Sequence, residues 1–283
     1  MGNRPRAALR EPKADKNIIW EAFQYDKSLA KQDCLDLTPS RAARRSLDDT
    51  RMTLIEKSPL LRGWLGLNRP CLLLLNGRSR LRQRSEVSAV LARTCLELVD
   101  HAKETHILIT LCFFCGRHAG ADDSLGNANE IVLNLLSQLI EHYDGFTSDD
   151  LQECLKDTEP EQAESVAASF RKLIEKLPGD YIVVIVIDGL NFFATPMDRQ
   201  EETRIVVEQL TNIWRARPAA MLKMLFATPT HAEFVEDLFQ SDETLNMPRE
   251  VRRTGGRKER RSRSSLSSEL TGIFDETDSS TVE

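Results

Sequence analysis

The chain has 283 residues, 41% of them apolar and 29% charged, with a formal net charge of −6. That length suits one large domain or two small ones, and the mild acidity provides no global field for nucleic acid or an anionic membrane. The 6 cysteines, Cys34, Cys71, Cys95, Cys112, Cys115 and Cys154, are too dispersed for a disulfide framework, and several sit in apolar runs, so reduced thiols are expected.

The N-terminus is polar and basic with no apolar core of a secretory signal, and Arg6 stands where a myristoylated Gly2 would want Ser or Thr. No apolar run approaches the ~20 residues that span a bilayer. These features predict a cytoplasmic protein with no membrane partner. Residues 1–49 read as a helical or irregular extension in which Ile18, Ile19, Trp20, Ala22 and Phe23 form a short amphipathic helix docked on the main domain.

Residues 50–245 alternate apolar runs with amphipathic stretches. Runs at 72–75, 107–114, 181–187 and 222–227 read as strands buried on both faces. Between them, 85–103 places Val87, Val90, Leu91, Thr94, Leu98 and His101 at helical spacing, and 128–143 does so with Ile131, Leu135, Leu136, Leu139 and Ile140. Residues 161–177 and 201–215 repeat the pattern, with Pro160 as a start and Pro218 as a stop. Strands alternating with helices predict right-handed crossovers, a mostly parallel sheet of about four to five strands and helices on both faces. No clear fifth strand and no solenoid repeat is visible. Residues 246–283 carry a basic block from Arg249 to Arg263, then a Ser-rich and acidic stretch, a composition expected to be disordered.

Ligands of such sheets bind beyond the carboxyl ends of the strands. After the first strand, Gly77 can open a phosphate loop. The later positions of G-x-x-x-x-G-K-[ST] hold Arg82, Gln83 and Arg84, or Gln83, Arg84 and Ser85 with one insertion, so the second glycine and the lysine are missing. The third run ends at Asp188, where a Walker B carboxylate would hold Mg²⁺, but Gly189, Leu190, Asn191, Phe192 and Phe193 bring no second acid. Asp188 reads either as such a metal ligand or as a turn or helix-cap residue. Thr228, ending the fourth run, either senses a phosphate or caps the strand before Pro229. Cys112-Phe-Phe-Cys115-Gly-Arg-His118 holds three possible metal ligands, yet positions 112 and 115 face opposite sides of a strand, which favours buried thiols. His118 is the polar member facing the ligand end.

In this order the features resemble the nucleotide-binding region of STAND-class P-loop proteins, and within that class the NACHT and nephrocystin-type domains of fungal signalling proteins. The resemblance rests on Leu60-Leu-Arg-Gly-Trp-Leu65, 72–77, Phe113-Phe-Cys-Gly-Arg-His118, Ile187-Asp-Gly-Leu-Asn191 and Leu225-Phe-Ala-Thr228, and covers about two thirds of the chain. It implies a three-layer P-loop NTPase-like fold, Mg-ATP or ADP as ligand, and Gly77, Arg84, Ser85, His118, Asp188 and Thr228 as vestiges of the site. It also implies losses. Asn191 and Phe192 replace the acids of an Asp-Gly-Leu-Asp-Glu run, and Ala227-Thr228-Pro229 replaces Thr-Ser-Arg. Three damaged elements predict a domain that does not hydrolyse ATP, requires no cofactor and serves as an interaction or regulatory module with protein partners or itself. The competing readings are a slow or nucleotide-gated NTPase switch, and a nuclear or RNA-contacting protein acting through the basic tail.

Overall fold

The computed structural model describes residues 15–38, 47–79, 86–120 and 122–249. Among the described residues, four α-helices precede the sheet: α1 (Asn17–Ala22), α2 (Leu29–Leu37), α3 (Asp49–Glu56) and α4 (Pro59–Gly66). Next come β1 (Cys71–Asn76), α5 (Glu86–Thr105), β2 (Leu108–Phe114), α6 (Ala128–His142), α7 (Ser148–Asp157), α8 (Ala163–Glu175), β3 (Ile182–Asp188), α9 (Met197–Arg215), β4 (Met221–Thr228) and β5 (Thr244–Asn246). The sheet order is β2-β3-β4-β1-β5 and every pairing is parallel. This is the three-layer α/β fold expected from the alternation of apolar strands with amphipathic helices.

The strands read as largely apolar runs, Lys223 in β4 and Thr110 in β2 apart, because each face has its own helical layer. Leu72, Leu74, Ile109, Leu111, Val183, Ile185, Leu222 and Met224 point into one core with α6, α8 and α9, while Leu73, Leu75, Leu108, Val184, Val186 and Leu225 point into the other with α3, α4 and α5. Alternate residues take opposite sides, as the pleat demands. Ile19 and Phe23 join the first core and Cys34 the second, so α1 and α2 pack on opposite layers.

Helix starts reflect local chemistry. The Asn127 side chain accepts from the Glu130 N–H at the start of α6, Thr147 and Asp150 form a reciprocal capping box on α7, and Asp48 caps α3. The run expected from 161 begins instead at Ala163, with Gln162 at its cap. A fifth strand is present where none was clear. β5 is only three residues, and its pairing with Leu74–Asn76 of β1, rather than any periodicity, makes it a strand. The docked chain also runs past the expected start of the tail at 246. Met247 is buried and donates its N–H to the Asn76 carbonyl at 2.9 Å. The basic block beyond Arg249 lies outside the described residues.

One buried cation ties a pre-strand helix to the sheet. Lys223 faces inward from β4 with no solvent exposure, and its Nζ donates to the carbonyls of Trp64 (3.0 Å), Leu67 (2.5 Å) and Arg69 (3.4 Å). Trp64 returns a bond from Nε1 to the Met224 carbonyl at 3.0 Å. Burial pulls the Lys223 ammonium down to about 8, and the three carbonyls at the end of α4 are its compensation. Replacing Lys223 by Ala should cost about 3 kcal/mol by leaving a cavity and unpaired carbonyls, read as a lower urea midpoint at unchanged slope. Lys223→Met should recover part of that loss by refilling the space.

Candidate functional site

Parallel pairing brings the carboxyl ends of all strands to one rim. Asn76 lies opposite Thr228, Asp188 opposite Ala227 and Phe114 opposite Asp188. Gly77, His118, Asp188 and Thr228 therefore follow or end strands at that rim. Arg84 and Ser85 lie outside the described residues.

Beyond β1, Gly77 and the two residues after it stay bonded to the chain that follows β4. The Gly77 N–H donates to the Thr228 carbonyl at 2.8 Å, the Arg78 N–H to Thr230 at 2.6 Å and the Ser79 N–H to Pro229 at 2.7 Å. Glycine is required at 77 by close approach. A Cβ there would sit 2.7 Å from the Pro229 carbonyl oxygen and 2.8 Å from Val87 Cγ2. The Asn76 side chain reinforces the junction, accepting from the Ala232 N–H at 3.2 Å and donating to Asn246 Oδ1 at 3.1 Å.

Beside this junction the start of α5 is already supplied with charge. Glu86, its first residue, is buried, accepts from the Asp48 N–H at 3.2 Å and lies 3.7 Å from Arg51 Nε. The Arg51 guanidinium also donates to the Gly77 carbonyl and, at 2.9 Å, to the Pro248 carbonyl. The positive end of α5 thus faces a protein carboxylate and its counter-ion.

Asp188 ends β3 almost fully buried. Burial pushes its carboxyl up to about 6, opposed by hydrogen bonds from the Ser88 hydroxyl and the Gly189 backbone. Oδ1 has no hydrogen-bond partner among the described residues. The chain turns away at Gly189 with φ +84°, a left-handed conformation that a side chain would strain, and a Cβ would lie 2.9 Å from Gly116 N. Asn191 Oδ1 accepts from the Thr228 hydroxyl at 2.7 Å, so these two satisfy each other. The Phe192 ring packs over Gly116, where a Cβ would approach it to 2.9 Å. Ser88, Arg51 and Glu86 were not legible as members of this rim, because their roles depend on partners far away in the chain.

His118 is held by two other carboxylates. Its Nε2 lies 2.9 Å from Asp33 Oδ2 and its Nδ1 lies 3.1 Å from Asp123 Oδ2. Burial disfavours the imidazolium, but the hydrogen bonds and charges of Asp33 and Asp123 outweigh it and raise His118 above the usual imidazole range. Arg117 adds contacts of 3.5 Å to Asp33 and 2.6 Å to Asp36. The pair thus clamps α2 to the turn after β2. Cys112 and Cys115 do fall in opposite cores.

No family model matches the sequence, and no curated protein matches it. Among solved structures, the chain is similar to the Aeropyrum pernix Orc1 protein in its complex with DNA, at a TM-score of 0.43 and 16% identity, over 77% of this chain and 49% of that one. The chain thus spans about half the length of that protein.

Two pH effects should be measurable. Asp188, raised from 3.8 to about 6, carries a cost that is full above pH 6, shrinks as pH falls and vanishes below pH 3.8. Asp188→Asn should therefore stabilise the domain at pH 7 by up to about 3 kcal/mol and lose that advantage towards pH 4, followed by denaturant titration. His118, raised from 6.5, has a stabilising charge that is fully present below pH 6.5 and lost as pH rises through the folded value. Wild type should accordingly outlast His118→Gln by a margin that widens as pH is lowered from 8 to 6, measured by thermal melts.

Proposed function

We propose that the chain is a P-loop-like domain that retains the strand framework of a nucleotide-binding fold and acts as a non-catalytic interaction or regulatory module. The observation that carries this reading is the fate of three amides. The N–H groups of Gly77, Arg78 and Ser79 stand where a phosphate loop would begin, and all three are bonded to carbonyls of 228–230. A phosphate nest needs such groups to converge on a ligand.

Electrostatics and the donor set support it further. Glu86 at the head of α5 would repel a phosphate that a helix N-terminus otherwise attracts. Among the described residues, the donors around Asp188 are one carboxylate and the Ser88 hydroxyl, with Asn191 committed to Thr228 and Phe192 in place of an acid. Mg²⁺ asks for a near-octahedral oxygen set completed by water and substrate phosphates, and this set does not fit it. Hydrolysis draws on charge stabilisation and an oriented water, for which none of these residues is suited. The NACHT or nephrocystin-type assignment within STAND proteins rests on the motif order of the sequence.

Calorimetric titration with ATP and ADP, with and without Mg²⁺, tests the reading. No saturable heat and no shift in melting temperature are expected up to millimolar nucleotide. A ligand present at 100 times its dissociation constant would stabilise the fold by about 2.7 kcal/mol. Turnover that Asp188→Ala abolishes would establish the competing nucleotide-gated switch instead.

A further inference from the structure

Three buried thiols converge on the side of the sheet that carries α5. Cys34 comes from α2, Cys95 from α5 and Cys112 from β2, and their Sγ atoms all lie within 4.8 Å of one another. The Cys34 and Cys112 sulfurs are 3.9 Å apart. None of the three side chains is more than 5% exposed. They meet because α2 packs against both α5 and β2, bringing residues 61 and 17 positions apart (Cys34 to Cys95, Cys95 to Cys112) into one pocket.

Sulfurs bound at ~2.3 Å to one ion lie roughly 3.8–4.0 Å from each other in tetrahedral or trigonal geometry. The Cys34–Cys112 separation already has that value, and the third sulfur needs only a small inward movement. Two thiols that merely pack can approach this closely; a third within the same sphere makes a donor set.

We propose that Cys34, Cys95 and Cys112 form a buried tris-thiolate site for one soft, thiophilic cation of the Zn(II) or Cu(I) class. Each S–H that becomes a ligand releases its proton to solvent as the sulfur–metal bond forms, and no electrons are transferred. Affinity therefore falls as pH falls. Among the described residues the group holds no fourth side-chain donor. That suits three-coordinate Cu(I), and leaves Zn(II) a position for water. The neighbouring Gln138 is committed to Cys112, accepting from its N–H and donating to its carbonyl, both at 2.9 Å. Because Cys34 rides on α2, the ion would fasten the N-terminal extension to the sheet, next to the Asp33 contacts with His118 and Arg117.

The test is an anaerobic titration of the reduced full chain with Cu(I), and separately with Zn(II), using Co(II) as a coloured substitute. One ion per chain, a sulfur-to-metal charge-transfer band, proton release and a raised melting temperature are expected; which ion competes better identifies the resident one. Cys34→Ser, Cys95→Ser and Cys112→Ser should each abolish the band, and Cys71→Ser and Cys154→Ser should keep it. Since the core variants can fail to fold, alkylation of the wild-type chain in mild urea gives a second readout. Metal should slow labelling of Cys34, Cys95 and Cys112 at least tenfold and leave Cys71 unchanged. The proposal is overturned by the absence of stoichiometric binding of either ion, or by binding that survives Cys34→Ser and is lost with Cys71→Ser.

Discussion

Each backbone N–H can be satisfied once, and at the head of this sheet the choice of acceptor decides what the rim can do. The ladder between β1 and β4 does not stop at the strand ends. The N–H groups of Gly77, Arg78 and Ser79 donate in turn to the carbonyls of Thr228, Thr230 and Pro229. A buried N–H left unpaired is costly, so these bonds hold the turn against the sheet. Close by, Val87 lies against Gly77, Glu86 against Arg51 and Ser88 against Asp188.

Around that ladder the polar groups look inward to one another. Arg51 bridges the Gly77 turn, Glu86 and the segment after β5; Thr228 pairs with Asn191; His118 is held between two carboxylates. Groups arranged in this way rigidify a fold and specify its packing, because each is expensive to bury alone. Among the described residues Asp188 Oδ1 has no hydrogen-bond partner, as Glu86 Oε2 and Arg51 Nε also have none, and burial pushes the Asp188 carboxyl up to about 6. Its burial is a local strain on stability that neighbouring bonds offset in part. The helices before the sheet are drawn into the same scheme, α4 through Lys223 and α2 through Asp33 and Cys34.

The four long strands and the helices α5, α6, α8 and α9 were legible because their signals are local. An apolar run such as Ile182–Asp188 has to be buried on both sides, and the spacing of Ile131, Leu135 and Leu139 leaves one apolar stripe for a sheet to cover. β5 was illegible for the opposite reason. Thr244–Asn246 carries no periodicity, and only the open edge of β1 makes it a strand. Gly77, Asp188 and Thr228 could be placed on a common rim from strand direction alone, whereas the partners of His118 could not, since Asp33 sits 85 residues away on a helix with weak patterning.

The sequence by itself determined the class of fold and the direction of the strands, since both come from residue type and short-range period. Tertiary structure alone decided that the first amides of the loop are consumed by the chain after β4, that Glu86 and Arg51 face each other over Gly77, and that three cysteines meet in one pocket. Those outcomes depend on which distant segments pack together, and packing is fixed by the shape and burial of whole layers rather than by any window along the chain.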